Sequence, residues 1–197
     1  EQHWGALDVA TGGGHTALAF APHVSHVTAS DLTEEMLEQV RKQVAEKGLA
    51  NVDTARADAE DLPFADAAFD LVTCRIAPHH FPDIPKFVAE VYRVLKAGGV
   101  FALVDNISPD TASTPGFSEA ELKAAADTYN RFEKIRDPSH GRAWQPSEWS
   151  ACIAEAGFEI QHQEFLPKPM KFETWCKNMS VPASKVPGLE AMLREAS

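Results

Sequence analysis

The sequence contains few cysteines, no extended basic stretch and no long apolar run. Its three cysteines, Cys74, Cys152 and Cys176, lie far apart and form no C-x-x-C pair. This spacing is typical of free thiols in a reducing compartment. No run of lysine and arginine exceeds two residues, and the formal net charge is −11. That balance argues against a nucleic acid or an anionic membrane surface as the partner.

Two further absences concern targeting. No apolar run approaches the roughly 20 residues that a membrane span requires, and the first residues show no signal-peptide pattern. We therefore expect a cytoplasmic protein. The length of 197 residues suits one α/β domain, residues 1–197, with a core of its own. A small molecule is the partner class that these observations favour.

The chain is organised around residues 6–21, where a short apolar stretch runs into glycines. Ala6–Ala10 is too short for a helix and is apolar except for Asp8, which predicts a buried parallel strand. The glycines at 12–14 precede a predicted helix over His15–Phe20. A strand that turns through glycines into a helix leaves backbone N–H groups free at its end. Such a turn typically binds an anionic group of a nucleotide-like cofactor.

Two cofactor classes fit this turn. The spacing Gly12-x-Gly14-x-x-Ala17 satisfies the dinucleotide pattern G-x-G-x-x-G/A. A single match of that kind is weak. Asp8, four residues before the first glycine, favours a cationic ammonium group over a pyrophosphate.

The run Asp8-x-Ala10-x-Gly12-x-Gly14 resembles the first motif, D/E-x-G-x-G-x-G, of the class I S-adenosylmethionine-dependent methyltransferases. Ala10 replaces the first glycine, a change of one methyl group that is common in the ubiquinone/menaquinone-biosynthesis C-methyltransferase group. The resemblance implies an α/β fold with a Rossmann-like, doubly wound, mostly parallel sheet, and S-adenosylmethionine as the methyl donor. It implies that Asp8 faces the ammonium group, directly or through water. The N–H groups from Gly12 to Gly14 would serve the carboxylate end, and Ala10 and Thr11 are further cofactor-binding residues.

An acid at the end of the second predicted strand marks the ribose site. This strand covers His23–Ser30 and ends at Asp31, where nucleotide-binding folds place a carboxylate for the ribose hydroxyls, about 20 residues after the glycines. Asp31 could instead cap the next helix, predicted over Thr33–Lys47, and both roles can coexist. Residues 31–37 also match the family pattern D-x-T-x-x-M-L. The resemblance implies that Leu32 and Met36 contact the adenosine. Met36 also fits the buried stripe of that helix.

The third predicted strand, Asn51–Ala57, precedes an acidic segment. In a Rossmann-like sheet the first three strands end at one edge of the cleft, so Asp58 can accept from the adenine amine and Ala59 N–H can donate to a ring nitrogen. The wording A-D-A-E-x-L-P-F is similar to the corresponding methyltransferase motif. Glu60 and Asp61 are interpreted as solvated loop charges.

The fourth predicted strand, Phe69–Ile76, carries a charge, Arg75, near its carboxyl end. A charge at this edge usually faces a ligand or an acidic partner, and we assign Arg75 to the cofactor site. The segment C-R-x-A-x-H-H-F resembles the family, which places His80 and Phe81 where the methyl donor meets the acceptor. His80 is the candidate general base if the nucleophile must lose a proton, with packing as the alternative. The pair of His79 and His80 predicts no metal site, since no third ligand is near.

A helix is next predicted over Asp83–Lys96, ending at a glycine pair, and a fifth strand over Val100–Asp105. This completes a cofactor-binding half at residues 1–105. The alternation of strands and helices argues for a doubly wound parallel sheet.

Residues 106–146 have weaker periodicity, and the resemblance implies that they cover the substrate. Arg136 and His140 are the candidate substrate contacts in this segment. An exposed surface helix, predicted over Ser118–Arg136, explains the same residues equally well.

The C-terminal part is predicted to contain a helix over Pro146–Ala156, a strand over Phe158–Leu166 and a helix over Gly188–Ala196. The resembled family normally has a helix before the first strand and a last strand beside the fifth, hairpinned to the strand at Phe158. Neither is recognised in the 197 residues. We therefore expect a truncated or partly ordered version of a longer chain. A homodimer is compatible with the sequence.

The predicted activity is transfer of a methyl group from S-adenosylmethionine to a small organic metabolite by in-line displacement. One alternative is an NAD(P)-dependent oxidoreductase, for which Tyr92 and Lys96 have the Tyr-x-x-x-Lys spacing but lie on one helix at its glycine end. The other is a domain that binds the cofactor without turnover.

Overall fold

The computed structural model describes residues 3–167, 169, 171–178 and 180–195. The chain divides into two compact units. The first unit comprises residues 1–105 and 156–158, and the second comprises residues 106–155 and 159–197.

The first unit is built on a five-stranded sheet in the order β3-β2-β1-β4-β5. All four strand pairs are parallel, which confirms the doubly wound sheet. The strand order reverses between β1 and β4, and ligands of open α/β sheets bind at such a reversal, beyond the carboxyl ends of the strands. The strands are β1 (Gly5–Val9), β2 (His26–Asp31), β3 (Val52–Arg56), β4 (Phe69–Arg75) and β5 (Leu95–Val104).

Helices connect these strands and form most of the second unit. The helices are α1 (His15–Phe20), α2 (Glu34–Lys47), α3 (Ile84–Val94), α4 (Glu119–Arg136), α5 (Pro146–Glu155), α6 (Phe172–Asn178) and α7 (Val186–Glu195). Short 3-10 turns lie at Ala21–His23 and Pro78–His80. None of the helices in the described part of the chain is both long and apolar enough to cross a membrane.

Small side chains let α1 and α2 lie close to the sheet. The core on this side contains Ala6, Ala17, Val27, Ala29 and Val40, all at most 2% exposed. Alanine at these positions shortens the distance between helix and strand backbones, because only a methyl group has to be accommodated.

Helix α3 packs through one apolar face, as its 3.6-residue period predicts. Phe87, Val88 and Val91 are fully buried. The Phe87 ring packs edge-on against Phe81, which follows the Pro78–His80 turn, at a centroid distance of 4.9 Å. This contact helps to position the segment that follows β4.

The second unit has its own core between α4, α6 and α7. Phe132, Cys176 and Leu189 are buried there. Helix α4 begins with a capping box, in which Ser118 Oγ accepts from Glu121 N–H and the Glu121 carboxylate accepts from Ser118 N–H. Such a box satisfies backbone donors that have no partner within the helix.

Several predicted boundaries were wrong around β5. Helix α3 ends at Val94, so Tyr92 and Lys96 lie on different elements. The glycine pair lies inside β5 rather than ending the helix. A Cβ on Gly99 would lie 2.9 Å from the Lys96 carbonyl oxygen and 3.1 Å from that of Asp70. Close backbone approach between the strands therefore explains this glycine.

The strand predicted over Phe158–Leu166 was also wrong, since these residues form neither strand nor helix. The Phe158 ring packs against Tyr92 and Phe101 of the first unit, whereas Leu166 is 72% exposed. An alternating sequence forms a strand only when another strand supplies hydrogen bonds. The helix predicted over Gly188–Ala196 corresponds to α7, and Ala196 lies outside the described residues.

Two smaller differences concern β2 and α2. Strand β2 begins at His26, because residues 21–23 form a 3-10 turn. Thr33 lies at the N-cap of α2, but in the described chain its side chain accepts no capping bond. Its hydroxyl instead donates to Asp31 Oδ1 at 2.8 Å.

The left-handed Gly14 makes the fold sensitive to a single methyl group. Gly14 has a φ of +81°, and a Cβ there would lie 3.0 Å from Cγ2 of the fully buried Val40. We expect Gly14→Ala to lower the free energy of unfolding by about 2–3 kcal/mol, from backbone strain and overpacking. Urea denaturation followed by circular dichroism measures the loss.

The matched control is Gly48→Ala, since Gly48 also has a left-handed φ, +64°, but open space at its Cβ position. Backbone strain alone should cost about 1 kcal/mol there. Equal losses in the two variants would show that Val40 moves aside and that packing against α2 does not require the glycine.

Candidate functional site

The carboxyl ends of the strands meet at one edge of the sheet. Backbone bonds continue this alignment past the strands: Thr11 N–H donates to the Ser30 carbonyl at 2.8 Å, and Ala57 N–H donates to the Asp31 carbonyl at 3.0 Å. The structure therefore brings the glycine turn, Asp31 and the segment after β3 to the same edge. The segment after β4 begins at this edge too, since β4 is parallel to β1 and adjacent to it.

The glycine turn uses left-handed backbone at three alternate positions. Ala10, Gly12 and Gly14 have φ values of +52°, +53° and +81°. Judged from the sequence, Ala10 differs from the expected glycine by one methyl group. The structure shows that the cost lies in the backbone, since an L-residue in this region is strained by about 1–2 kcal/mol.

Asp8 lies beneath this turn and is 2% exposed. Its Oδ2 accepts from the Thr11 hydroxyl at 2.6 Å and from Ala17 N–H at 3.1 Å. Its Oδ1 accepts from the Thr73 hydroxyl at 2.6 Å. One carboxylate thus links β1, the glycine turn, α1 and β4. Its predicted contact with an ammonium group stays a prediction.

Asp31 connects the end of β2 to the glycine turn. Its Oδ2 accepts from Gly12 N–H at 2.9 Å, and its Oδ1 accepts from Thr33 N–H at 3.0 Å. The carboxylate is half-buried, Leu32 beside it is 57% exposed, and Met36 is half-buried in the first turn of α2. The structure therefore unites the predicted ribose acid with the glycines, and its local role at the start of α2 coexists with that position.

The acidic segment after β3 is more ordered than its composition indicates. Asp58 is exposed and its Oδ1 accepts from Glu60 N–H at 2.9 Å, while Ala59 is buried. Glu60 is half-buried, and its Oε1 accepts from Asp83 N–H at 2.8 Å, at the N-cap of α3. Interpreting Glu60 as a solvated charge therefore missed its structural contact, whereas Asp61 is exposed.

The end of β4 contains a strained residue that the sequence did not reveal. Arg75 is exposed, and its positive charge offsets a small part of the rise in the pKa of Asp8 that burial causes. Ile76 follows with a φ of +55°, an outlier for a β-branched side chain. Such strain persists only where the surroundings hold the backbone, and it concentrates at functional sites.

Beyond Ile76, the structure pairs a histidine with an acid that sequence reasoning missed. His79 Nδ1 lies 2.6 Å from Asp105 Oδ1, and both side chains are buried. The His80 ring is half-buried and lies 4.1 Å from the His79 ring, measured between centroids. Phe81 packs on α3. The only sequence signal for this pair was an acid at the end of an apolar strand.

Arg136 and His140 belong to the second unit, where both are buried. Arg136 Nε donates to Glu133 Oε2 at 3.0 Å, and the guanidinium lies 4.4 Å from the Trp175 ring centroid. His140 Nε2 lies 3.0 Å from Asn130 Oδ1. These internal contacts differ from the exposed surface helix considered above. Contact of either residue with a substrate stays a prediction.

The buried cysteine Cys74 and the potential metal ligands form no further candidate site within the described residues. Burial raises the pKa of the Cys74 thiol well above its ordinary value, so this cysteine behaves as core. The described part of the chain contains no group of three histidine, cysteine or acidic residues arranged for a metal ion.

The buried Asp8 generates a prediction about pH. Burial raises its pKa above the ordinary 3.8, although hydrogen bonds from Thr11, Thr73 and Ala17 oppose the rise. Between pH 3.8 and the raised pKa, the folded state therefore keeps a proton that the unfolded chain has lost. This contribution to stability is complete below pH 3.8 and disappears as the pH rises through the folded pKa.

We therefore expect the unfolding free energy of the wild type, relative to Asp8→Asn, to fall as the pH rises from about 4, by up to about 1.4 kcal/mol for each unit of the pKa difference. Urea denaturation at several pH values measures this. Asp70→Asn is the control of opposite sign, because hydrogen bonds from Lys96 and Gly5 N–H lower the Asp70 pKa. A pH-independent difference for Asp8→Asn would contradict the raised pKa.

Comparison with known proteins agrees with this geometry. A family model described as a methyltransferase domain matches residues 7–103. The chain is 38% identical over 191 residues to the uncharacterized methyltransferase YcgJ of Bacillus subtilis (strain 168), which covers 97% of this chain and 71% of the relative. The crystal structure of YcgJ from Bacillus subtilis superposes with a TM-score of 0.91 at 36% identity, covering 100% of this chain and 80% of that chain.

A further relative is the ubiquinone/menaquinone biosynthesis C-methyltransferase UbiE of Brucella anthropi. It is 36% identical over 185 residues, which cover 82% of this chain and 66% of the relative. These similarities confirm the resemblance that the motifs indicated, and the chain belongs to the methyltransferase family.

Proposed function

We propose that this methyltransferase transfers a methyl group from S-adenosylmethionine to a small organic molecule at the carboxyl edge of its sheet. The observation that carries the proposal is the contact between Asp31 and Gly12 N–H, 2.9 Å long. It joins the acid that can bind ribose hydroxyls to the turn that can bind an anionic group. We extend the proposal to a cytoplasmic enzyme, as the spacing of its three cysteines favours, with a homodimer as its assembly.

The residues at this edge fit the chemical groups of S-adenosylmethionine. Gly12 has open space where a Cβ would lie, so a ligand could approach the backbone there. Asp31 Oδ2 accepts from Gly12 N–H of the turn, and Oδ1 accepts from the N–H and the hydroxyl of Thr33. The Thr33 hydroxyl is the same type of donor as a ribose hydroxyl. Asp58 is exposed and can accept from an adenine amine, while Ala59 N–H can donate to the ring.

Asp8 lies beneath the glycine turn and acts on the amino-acid end of the ligand. Its carboxylate is already bound by Thr11, Ala17 and Thr73, so we assign it two tasks: holding the glycine turn in shape and making the electrostatic environment favourable for an ammonium group. Arg75, exposed at the end of β4, is the proposed cationic member of the site.

The chemistry needs little from the protein beyond alignment. S-adenosylmethionine supplies a methyl group on a positively charged sulfur, which is already activated for displacement. The chain's residues align donor and acceptor and keep water from the site. His80 is half-buried in the turn that follows β4. It is the proposed acceptor-side residue, taking a proton where the nucleophile must lose one.

Small organic metabolites form the proposed acceptor class. The Brucella anthropi relative is named for ubiquinone and menaquinone biosynthesis, which makes quinone precursors the first compounds to test. The alternative oxidoreductase depends on the Tyr-x-x-x-Lys spacing of Tyr92 and Lys96 as its catalytic pair. In the structure, Tyr92 lies in the last turn of α3 and Lys96 at the start of β5.

Ligand binding tests the proposal directly. We expect S-adenosylmethionine and S-adenosylhomocysteine to raise the melting temperature, because a ligand at 100 times its Kd stabilises the folded state by about 2.7 kcal/mol. NAD should leave it unchanged. Calorimetry measures the Kd, and release of radiolabelled methyl in an acceptor panel then distinguishes turnover from binding alone. Binding of NAD without S-adenosylhomocysteine would overturn the proposal.

Substitution of Asp31 tests whether cofactor binding depends on this one carboxylate or on the acidic surface in general. We expect Asp31→Asn to weaken S-adenosylhomocysteine binding by at least 10-fold, since hydrogen bonds to a charged acceptor contribute about 1.5–3 kcal/mol. Asp53→Asn is the matched control on the neighbouring strand, because its side chain is 79% exposed and pairs with His26. Calorimetry compares the two, with circular dichroism as the check on folding. Equal affinities would exclude Asp31 from the site.

A further inference from the structure

A buried acid–imidazole pair lies where β4 and β5 end. The Asp105 and His79 side chains are 2% and 5% exposed, with Oδ1 and Nδ1 2.6 Å apart. The second oxygen, Oδ2, accepts from the His79 backbone N–H at 2.8 Å. One carboxylate therefore holds both the ring and the backbone of the same residue. Charge-assisted bonds of this kind are stronger than neutral ones, and two together fix direction as well as distance.

These bonds hold a short turn. The Pro78–His80 turn contains only three residues. His80 N–H donates to the Ala77 carbonyl and Phe81 N–H donates to the Pro78 carbonyl, each at 2.9 Å. They close the turn internally. The Asp105 carboxylate, which follows directly after β5, bonds the turn to the edge of the sheet, in addition to the packing of Phe81 against α3.

The strained residue before the turn needs such a contact. Ile76 has a φ of +55°, and its N–H donates to the Val104 carbonyl at 2.8 Å. Asp105 is the next residue and lies directly after β5. Val104 therefore binds the strained residue Ile76, and Asp105, the next residue, binds His79 in the turn that follows. A conformation of this cost persists only when neighbouring contacts determine it.

We infer that Asp105 and His79 form a positioning pair that sets the orientation of the His80 imidazole toward the methyl acceptor. The two histidine rings are 4.1 Å apart and inclined by 44°, so a rotation of the His79 ring displaces its neighbour. Asp105 acts through His79, and His79 acts through contact with His80. The inference rests on the acceptor-side role of His80 in the proposed function, and it adds the residues that make this role possible.

Nuclear magnetic resonance on the whole chain with isotope-labelled histidine tests the pair. We expect the wild type to show one set of His80 ring signals that moves when S-adenosylhomocysteine is added. Asp105→Asn keeps the side-chain shape but removes one of the two acceptor oxygens. It should displace or multiply the His80 ring signals while changing the affinity for S-adenosylhomocysteine less than 2-fold. Asp83→Asn is the control, since Asp83 caps α3 nearby through Lys86 N–H.

A conservative variant separates positioning by His79 from chemistry at its ring. In His79→Asn the amide nitrogen can take the place of Nδ1 and keep the bond to Asp105, whereas His79→Ala cannot. We expect a single set of His80 signals in His79→Asn and several in His79→Ala. For any acceptor that turns over, Asp105→Asn should lower kcat at least 10-fold with KM for S-adenosylmethionine unchanged. Adding it to His80→Ala should cause no further loss.

Different results would overturn the positioning pair and the proposed function. His80 signals that stay at their wild-type positions in Asp105→Asn, with the same response to S-adenosylhomocysteine, would overturn the positioning pair. Equal loss of kcat in His79→Asn and His79→Ala would also overturn it, because His79 would then act through its own ring. Failure of S-adenosylhomocysteine to bind the wild type would instead overturn the proposed function, while the effect of Asp105→Asn on the His80 ring would still be measured.

Discussion

The buried carboxylate of Asp8 is the interaction on which the site depends. It accepts from Thr11, Ala17 and Thr73, and so connects the first strand to the turn, the helix and the neighbouring strand β4. A buried acid is costly unless its oxygens are bonded, and here the bonds are supplied by the elements that must stay together. The left-handed turn between β1 and α1 is stable because this carboxylate lies beneath it.

Hydrogen bonds from backbone N–H groups to carboxylates recur around the carboxyl edge of the sheet. Asp31 accepts from Gly12 N–H, Glu60 from Asp83 N–H, and Asp105 from His79 N–H. In each case a carboxylate binds a backbone donor of a turn or a helix start, where N–H groups have no partner in regular structure. The acidic composition of the chain therefore serves two purposes. It makes the protein a suitable environment for a cationic ligand, and part of it holds the irregular segments in place.

Prediction from sequence worked where local pattern and family motif agreed. The five strands, the first three helices and the meeting of Asp31 with the glycines follow from apolar runs, glycine spacing and the position of acids after strands. Membership of the methyltransferase family was also readable from four motifs in order. The roles of individual residues toward cofactor and acceptor remain predictions, since they concern groups that approach from outside the chain.

Long-range contacts account for what the sequence could not reveal. The pairing of His79 with Asp105 joins residues 26 positions apart, and no local pattern specifies which acid meets which imidazole. The segment from Phe158 to Leu166 alternates like a strand, but a strand exists only where a neighbour supplies its hydrogen bonds, and it is irregular here.

By itself, the sequence determined the five strands and first three helices of the first unit, their order and the family, because these depend on periodicity and on residues close together in the chain. Only the tertiary structure decided that Ala10 and Ile76 are strained, that Glu60 anchors α3 and that Asp105 holds the turn beside His80. Those outcomes arise from the parallel register of the strands, which brings residues from distant parts of the chain to one edge.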